Sequence, residues 1–368
     1  MKFLIFIFLY WNLEIHNVNA YNFTCSSELP KSTQRNFGTW GKWPNAIVKY
    51  EFHSSLTSAD IAEVNKAFNV YHTKTCVRFQ KRASGEAAYV SIENEPSVCG
   101  LAHVCRGGGY QFAQFGGSCR NAGVMVHELG HSLCFGHEQS REDRDNYLNY
   151  PCGDAGGKDM GFDINLFYDY KSAMHYGCND CMRPKMADVS TSMCGGDFSV
   201  LDAEKVNAFY DCPGCLGYRF RSVLKITAAE KADLLVARDT GEFLYVCRAY
   251  QNGDIIPGTG NINSGKCYVS IHALEHVHTN GEFLTKGKSG TRLVWSQKPS
   301  NNVIPSNAVA GGRSRMGETL YIARANVVSG GRSSVVVGKV HAGRPDVAFL
   351  PFDGKEHEIY SFEFLVCN

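Results

Sequence analysis

The chain has 368 residues, of which 44% are hydrophobic and 20% are charged, and its formal net charge is +1. This length favours two folded units, and the hydrophobic content excludes extensive disorder. Because the net charge is close to zero, we expect neither nucleic-acid binding nor electrostatic attraction to a membrane surface.

The N-terminus has the pattern of a cleavable signal peptide. Met1 and Lys2 precede an apolar run from Phe3 to Leu13, and the small residue Ala20 closes the segment. The run is too short to span a bilayer, and no later segment is long and apolar enough to form a membrane helix. We therefore predict a signal peptide at residues 1–20, a secreted, extracellular protein and no membrane span.

The 15 cysteines agree with export, because disulfides persist outside the reducing cytosol. Two Cys-x-x-Cys spacings, Cys178 with Cys181 and Cys212 with Cys215, are also compatible with a structural zinc ion. In an exported chain we favour disulfides over such a zinc site. The odd number of cysteines leaves at least one thiol free, paired between chains or removed with a processed segment.

The first half of the chain alternates between strand and helix patterns. The elements expected there are strands at Ala46–Phe52 and Ala88–Ile92, a short edge strand at Tyr110–Phe112, and helices at Ala59–Tyr71, Asn121–Cys134 and near Ala203–Tyr210. Residues 21–42 are polar, lack periodicity and predict a short N-terminal segment or pro-segment. Strands followed by helices predict an α+β domain, which we place at residues 43–215.

Beyond Cys215 the helical periodicity disappears, and short alternating runs rich in Gly, Val, Tyr and Phe replace it. This region also repeats itself, because residues 241–249 resemble residues 317–325. In addition, Glu275 and Glu356 each begin a Glu-His pair that is followed at the same distance by Glu-Phe-Leu. We therefore predict an all-β domain of two tandem copies at residues 216–368.

Three histidines have a spacing that suits a catalytic zinc ion. His127 and His131 stand at positions i and i+4 of a predicted helix, so both imidazoles project from one face beside Glu128. His137 follows further along the chain, so the helix must end before it for the third imidazole to reach the same ion. Three neutral imidazoles leave a fourth position for water, which distinguishes a catalytic zinc ion from a closed structural one.

The residues around this motif carry a family resemblance. The segment His127–Asp145 and the segment Tyr168–Gly177, which contains a Met-turn-like Ser-Ala-Met-His-Tyr, resemble the astacin branch of the metzincin zinc peptidases. Further matches are Trp43-Pro44, Cys76–Phe79 and Leu201–Cys212. Because the motifs occur in the family's order over residues 43–212, the α+β domain is identified as an astacin-like catalytic domain.

The resemblance implies a zinc metalloendopeptidase with one Zn²⁺ per chain. The metal ligands that it implies are His127, His131, His137 and Tyr176, the last of them displaceable, with Met174 as the apolar floor of the site. Glu128 would act as general base toward the zinc-bound water, and Tyr176 would add a hydrogen bond to the oxyanion. The partners would be protein or peptide substrates, paired by strand addition to the edge near residues 108–112.

Six cysteines of this domain are disulfide candidates. The resemblance implies the pairs Cys76 with Cys212 and Cys99 with Cys119. The family usually has Gly where this chain has Cys105 and Cys134, and at Cys134 the family's helix ends in a left-handed turn. A non-Gly residue adopts that turn at a cost of about 1 kcal/mol. We predict that Cys105 and Cys134 form an extra disulfide that fixes the helix end.

The mode of activation stays open at this point. Astacins usually carry a pro-segment whose aspartate occupies the zinc, but residues 21–42 contain no aspartate. Cys25 has two readings, a thiolate that blocks the zinc or an ordinary disulfide, and an exported chain favours the second.

The two C-terminal copies resemble the DM-nine repeat family, small β modules of invertebrate proteins and natterin-like lectins. The residues that carry this resemblance are Leu320–Ala325, Gly338–Val340 and Gly354–His357. Some members bind mannose-type carbohydrate through an acidic residue and a lysine.

Each copy keeps half of that possible sugar-binding pair. The first copy has Asp239 but Thr259 in place of the lysine. The second copy has Lys339 but Ser314 in place of the acid. Carbohydrate binding, with the copies complementing each other, and a purely structural role therefore both remain open.

Three function classes are compatible with this organisation. The first is an active peptidase with a C-terminal module for carbohydrate or protein binding, and the second is a secreted lectin or adhesion protein with an inactive peptidase scaffold. A pore-forming effector rests on analogy with natterins alone. Because Glu128, the three histidines and Tyr176 are all present, the sequence favours the active peptidase.

Overall fold

The computed structural model describes residues 41–151, 157–158, 166–238, 244–287 and 290–368. The predicted signal peptide, the segment 21–40, Cys25 and Asp239 lie outside the described residues.

A five-stranded sheet and two long helices form the N-terminal half. In chain order these elements are β1 (Ile47–Phe52), α1 (Ser58–Lys74), β2 (Arg78–Lys81), β3 (Tyr89–Asn94), β4 (Gly100–Ala102), β5 (Tyr110–Phe115) and α2 (Ala122–Ser132). The strand order is β2-β1-β3-β5-β4, with β4 antiparallel to β5 and the other pairs parallel. The helices pack on each other and on this sheet around one apolar core.

Local sequence explains where both helices begin. Thr57 caps α1, because its hydroxyl accepts from the backbone N–H of Asp60 while the Asp60 carboxylate accepts from that of Thr57. Asn121 caps α2 by accepting from the N–H of Val124. Along α1 the buried positions Val64, Ala67, Phe68 and Tyr71 recur every three or four residues, so one stripe of the helix faces the core.

The prediction of an edge strand at Tyr110–Phe112 is wrong. These residues lie in β5, an inner strand of the sheet that pairs with β3 along its length and with β4 at Ala113, Gln114 and Phe115. The edge strand is β4. Its three residues are too few to produce a recognisable alternation, and its partner lies eight or more residues away along the chain.

The rest of the first half is largely irregular and ends in a helix. Its regular elements are β6 (Leu148–Asn149), β7 (Arg183–Pro184) and α3 (Val200–Phe209). Strands β6 and β7 pair with each other as a small antiparallel ladder. Ser199 caps α3 in the same reciprocal manner as Thr57 caps α1, with Asp202 as its partner.

Within the described residues, the C-terminal half contains a 14-stranded sheet and one short helix. Its elements are β8 (Arg219–Ser222), α4 (Ala228–Ala232), β9 (Val236–Arg238), β10 (Leu244–Gln251), β11 (Asp254–Asn261), β12 (Lys266–Ile271), β13 (Leu274–His278), β14 (Glu282–Thr285), β15 (Leu293–Gln297), β16 (Ala310–Arg313), β17 (Thr319–Ser329), β18 (Arg332–His341), β19 (Ala348–Phe352), β20 (Lys355–Ile359) and β21 (Glu363–Cys367). The described pairings between these strands are antiparallel. The expectation of an α+β domain followed by an all-β domain is confirmed.

The two copies inside this sheet use the same strand pairing. Arg248 of β10 stands opposite Glu282 of β14, and Arg324 of β17 stands opposite Glu363 of β21. Each arginine donates from Nε to the opposite glutamate at 2.7 Å. Strands β13 and β20 join the copies through the pair Leu274 and Lys355. A disulfide between Cys215 and Cys367 connects the start of the all-β half to its last strand.

Two buried arginines of the all-β half form ion pairs with the α+β half. Arg248 donates from Nη1 and Nη2 to the two carboxylate oxygens of Glu204 in α3, both at 2.8 Å. Arg313 donates from Nε to Oδ1 of Asp169 at 2.6 Å. The arginines are 0% and 1% exposed, so these charges are almost completely removed from water. Buried, hydrogen-bonded ion pairs therefore fix the two halves against each other.

Arg248→Met tests this interface. The substitution leaves Glu204 and Glu282 buried without their cation, and we expect the free energy of unfolding to fall by about 3–5 kcal/mol. The matched control is Arg324→Met, the same position of the second copy, where the ion pair is partly exposed and we expect a loss of about 1 kcal/mol. Urea denaturation of the full chain measures both values, and equal losses would contradict the anchoring role of Arg248.

Acid should remove one stabilising interaction at the start of α1. The hydrogen bonds from Arg120 lower the pKa of Asp60 to about 2, below the value of about 3.9 for an unfolded chain. The stability from this carboxylate is therefore fully present above about pH 4 and is lost as the pH falls toward about 2. We expect the difference in unfolding free energy between the native chain and Asp60→Asn to be constant near neutral pH and to shrink over that interval. A difference that stays unchanged down to about pH 2 would contradict this assignment.

Candidate metal centre and active site

Helix α2 places the first two histidines and then ends sharply. The N–H of Phe135 donates to the carbonyl of Gly130 at 3.0 Å, and the N–H of Cys134 donates to that of His131 at 2.8 Å. These two bonds form a Schellman turn, which requires a left-handed residue after the last helical positions. Cys134 supplies it with φ 82°, so the chain reverses and brings His137 back toward the helix.

A disulfide holds this turn from outside. Cys105 is bonded to Cys134, and the N–H of Cys105 donates to the carbonyl of His131 at 2.9 Å. The structure also contains the four other candidate cysteines as pairs, Cys76 with Cys212 and Cys99 with Cys119. The Cys-x-x-Cys spacings do not form a zinc site, because Cys178 pairs with Cys194, Cys215 pairs with Cys367, and Cys181 is also disulfide-bonded.

The three histidines converge through their Nε2 atoms. The separations are 3.1 Å between His127 and His131, 3.2 Å between His131 and His137, and 3.2 Å between His137 and His127. In a tetrahedral zinc site with Zn–N bonds of about 2.0–2.1 Å, two ligand nitrogens lie about 3.3–3.4 Å apart. The triangle therefore has the size that a zinc ion requires.

The hydrogen bonds on the opposite ring nitrogens decide which atoms can bind a metal. Nδ1 of His127 lies 2.7 Å from the carbonyl oxygen of Ala173, and Nδ1 of His131 lies 2.7 Å from that of Phe135. A carbonyl oxygen carries no proton, so both Nδ1 atoms must donate. In a neutral imidazole the proton then sits on Nδ1, and Nε2 presents a lone pair. Lone pairs that point at one another need a cation between them.

Burial keeps these imidazoles neutral. It lowers the pKa of His127, and it lowers that of His131 to about 3 with a further contribution from repulsion by His127. The pKa of His137 is also lowered well below its ordinary value, first by burial and then by the neighbouring histidines. Neutral imidazole is the form that binds metal, so the donor set fits zinc.

Glu128 lies next to the first ligand and is almost fully buried. Burial raises the pKa of its carboxyl to about 8, which brings it into the range where a carboxyl exchanges protons near neutral pH. Strand β4 passes directly beside it, because a Cβ atom at Gly100 would lie 2.1 Å from Oε1 of Glu128. A side chain at position 100 would overlap the Glu128 carboxylate, so glycine is needed there.

Met174 packs against helix α2 at Gly130, between the first two histidines in the sequence. It is 6% exposed, and its sulfur packs so closely on α2 that a Cβ atom at Gly130 would lie 2.4 Å from Sδ. Asp202 of α3 fixes the turn that carries it, since its carboxylate accepts from the hydroxyl of Ser172 at 2.5 Å and from the N–H of Ala173 at 2.8 Å. The methionine thus supports the helix between the first two ligands.

Tyr176 stands beside the histidines on the same turn. Its ring centroid lies 4.4 Å from that of His137 and 5.9 Å from that of His127. Its backbone N–H donates to the side chain of Gln139 at 3.0 Å, which ties the Met-turn to the segment after His137.

The supporting residues Asp202 and Gly100 were not assigned roles from the sequence. Asp202 lies in a segment that carries the family resemblance. Its position relative to Ser199 suggests only that the two residues cap the start of a helix. Gly100 carries no local signal, because its contact with Glu128 depends on how β4 crosses the helix.

A family model described as Astacin, a peptidase family, matches residues 37–211. The model thus finds an astacin domain in this part of the chain. A second model, the DM9 repeat, matches residues 238–367, so the astacin domain is followed by DM9 repeats.

Several zinc metalloproteinases are similar to the astacin domain. Zinc metalloproteinase nas-4 of Caenorhabditis elegans is 34% identical over 194 residues, which cover 48% of this chain and 61% of that protein. Zinc metalloproteinase nas-13 of the same organism is 32% identical over 192 residues, covering 48% of this chain and 42% of that protein. The chain thus spans about half the length of these curated relatives.

Among solved structures, a hatching enzyme zinc-protease from Oryzias latipes, high choriolytic enzyme 1, is similar with 27% identity. The match covers 49% of this chain and 98% of that chain, with a TM-score of 0.43.

Of the two candidate sugar-binding residues of the DM9 repeats, Lys339 lies within the described residues. Lys339 is 3% exposed, and its ammonium donates to the Glu356 carboxylate at 2.5 Å and to the carbonyl oxygen of Ser270. Asp239 lies outside the part of the chain that the structure describes. Among the described helices, none is long and apolar enough to cross a membrane.

Metal analysis of a His131→Ala variant tests the triad. Because His131 contributes one of three converging lone pairs, we expect zinc content to fall from about one ion per chain to near zero. His103→Gln is the control, since His103 lies in the same domain outside the triad and should retain zinc. Mass spectrometry of the dialysed proteins measures the content, and full zinc in His131→Ala would refute the assignment.

Proposed function

We propose that this chain is a secreted zinc-dependent endopeptidase that hydrolyses peptide bonds in proteins. The observation that carries the proposal is the convergence of three neutral imidazoles within 3.2 Å, with the Glu128 carboxyl adjoining the first of them. The zinc metalloproteinases similar to the astacin domain support the same reaction class.

His127, His131 and His137 would hold the zinc ion. Zinc in this position supplies a Lewis acid that polarises the scissile carbonyl and makes water acidic enough to react near neutral pH. Glu128 then accepts the proton of the attacking water and delivers it to the nitrogen of the leaving amine. Tyr176, beside His137, donates a hydrogen bond to the carbonyl oxygen as negative charge develops there.

An extended substrate would pair with β4 rather than with β5. Strand β4 forms the sheet edge, and its Gly100 adjoins Glu128. A peptide that adds to this edge by main-chain hydrogen bonds therefore passes the carboxylate that handles the proton. This replaces the expectation of substrate pairing near residues 108–112, because β5 is an inner strand and β4 forms the edge of the sheet.

Secretion and a binding role of the repeats complete the proposal. The apolar N-terminal run and the six described disulfide pairs favour an extracellular protein. For the repeats we retain binding of a protein or of mannose-type carbohydrate. The internal pairing of Lys339 with Glu356 means that a sugar would have to displace an existing ion pair there. Retention of the full chain on immobilised mannan, competed by free mannose, distinguishes the two ligands.

Cleavage of gelatin by Glu128 variants tests the enzyme. We expect the native chain, with residues 1–20 removed, to cut gelatin, and Glu128→Gln to lose at least about 100-fold in rate, since general acid–base catalysis contributes about 10²–10⁴-fold. Zinc content should be unchanged, because Glu128 is not among the ligands.

The same assay distinguishes the proposed peptidase function from the alternative function. A native chain that binds zinc and cuts nothing would favour a lectin or adhesion protein with an inactive peptidase scaffold. Equal cleavage by the native chain and Glu128→Gln would instead refute the role of Glu128.

A further inference from the structure

A cavity of about 690 Å³ lies beside the metal site and is lined by both domains. Its lining includes His127, Ala173 and Phe198 of the astacin domain and Met316, Gly317 and Thr319 of the DM9 repeats. Ligand sites in proteins commonly have volumes of about 300–1,000 Å³. The cavity therefore has room for substrate residues next to the scissile bond, and part of its wall comes from the repeats.

Of these residues from the repeats, Met316 and Gly317 lie in the turn between β16 and β17, and Thr319 is the first residue of β17. Arg313, the last residue of β16, forms the buried ion pair with Asp169 of the astacin domain. Two hydrogen bonds shape the turn itself. The N–H of Arg315 donates to Oδ1 of the Asp254 carboxylate at 2.7 Å, and the N–H of Gly317 donates to the carbonyl of Ser314 at 2.9 Å. The turn is therefore held in place against the astacin domain.

Met316 is the apolar side chain that this turn presents. It is 68% exposed although it lines the cavity, so much of its surface is available for contact. Methionine is unbranched and polarisable, and it adapts its shape to apolar partners.

Charged groups in the cavity do not favour one sign. The lining contains two lysines, Lys74 and Lys171, and two acidic residues, Glu63 and Asp197. The ammonium of Lys74 donates to the carbonyl of Phe198 at 2.9 Å, and that of Lys171 donates to the carbonyl of Gly195 at 3.4 Å. Since the charges balance and both lysines are engaged, the net charge of the lining does not select a substrate side chain.

We infer that the β16–β17 turn forms one wall of the substrate cavity, and that Met316 contacts an apolar substrate side chain flanking the scissile bond. The DM9 repeats then set part of the cleavage preference. This inference rests on the proposed peptidase function.

Charge substitutions at Met316 test the inference through cleavage-site profiles of the full chain on a peptide library. We expect Met316→Glu to raise kcat/KM about two- to five-fold for basic side chains at one position near the cut and to lower it for acidic ones. Met316→Lys should reverse both changes at the same position. Leu224→Glu and Leu224→Lys are matched controls, because Leu224 is an exposed apolar turn residue of the same half, 77% exposed, outside the cavity lining.

Two results overturn the inference and separate it from the proposed function. If the native chain cuts the library and all four variants share its profile, the role of Met316 is refuted while the peptidase function stands. If the native chain binds zinc but cuts no peptide, the proposed function fails and the inference fails with it. Opposite shifts for Met316→Glu and Met316→Lys, absent from the Leu224 controls, support the inference.

Discussion

A buried guanidinium has to be matched by carboxylate, and two such matches cross the boundary between the astacin domain and the DM9 repeats. Arg248 pairs with Glu204, Arg313 pairs with Asp169, and all four side chains are less than one-tenth exposed. Separation of the domains would break both pairs and leave Arg248 with Glu282 alone, or return these charges to water at the expense of the surrounding packing. The relative position of the two domains is therefore part of the fold, and the cavity between them has fixed walls.

Helix α3 contacts both the domain boundary and the residues that support the metal site. Asp202 holds the turn that bears Met174, and Lys205 forms a buried ion pair with Glu138, the residue that follows the third histidine. Glu204, between these two positions, accepts the bonds from Arg248. One helical turn thus fixes the floor of the metal site, the segment of its third ligand and the attachment of the repeats. A displacement of α3 would disturb all three together.

Features formed by residues close together in the sequence could be predicted, whereas features that depend on contacts between distant segments could not. The meeting of His127, His131 and His137 follows from helix geometry within eleven residues and from a left-handed turn at Cys134. The tandem copies are visible because their residues recur at equal spacing. The edge strand was misjudged because β4 is defined by its pairing partner rather than by its three residues. The ion pairs across the domain boundary could not be predicted from the sequence. Arginine and carboxylate side chains are mostly exposed in proteins, so their presence does not indicate a buried pair.

The disulfide between Cys215 and Cys367 has a consequence for covalent connectivity. It closes a loop of sequence separation 152, and the disulfide between Cys76 and Cys212 closes another of 136. A single backbone cut inside either loop leaves both fragments joined through sulfur. The chain can therefore be nicked once in most of its length without releasing a piece. After a cut inside either loop, the two fragments stay covalently joined until a second cut or a reductant frees them.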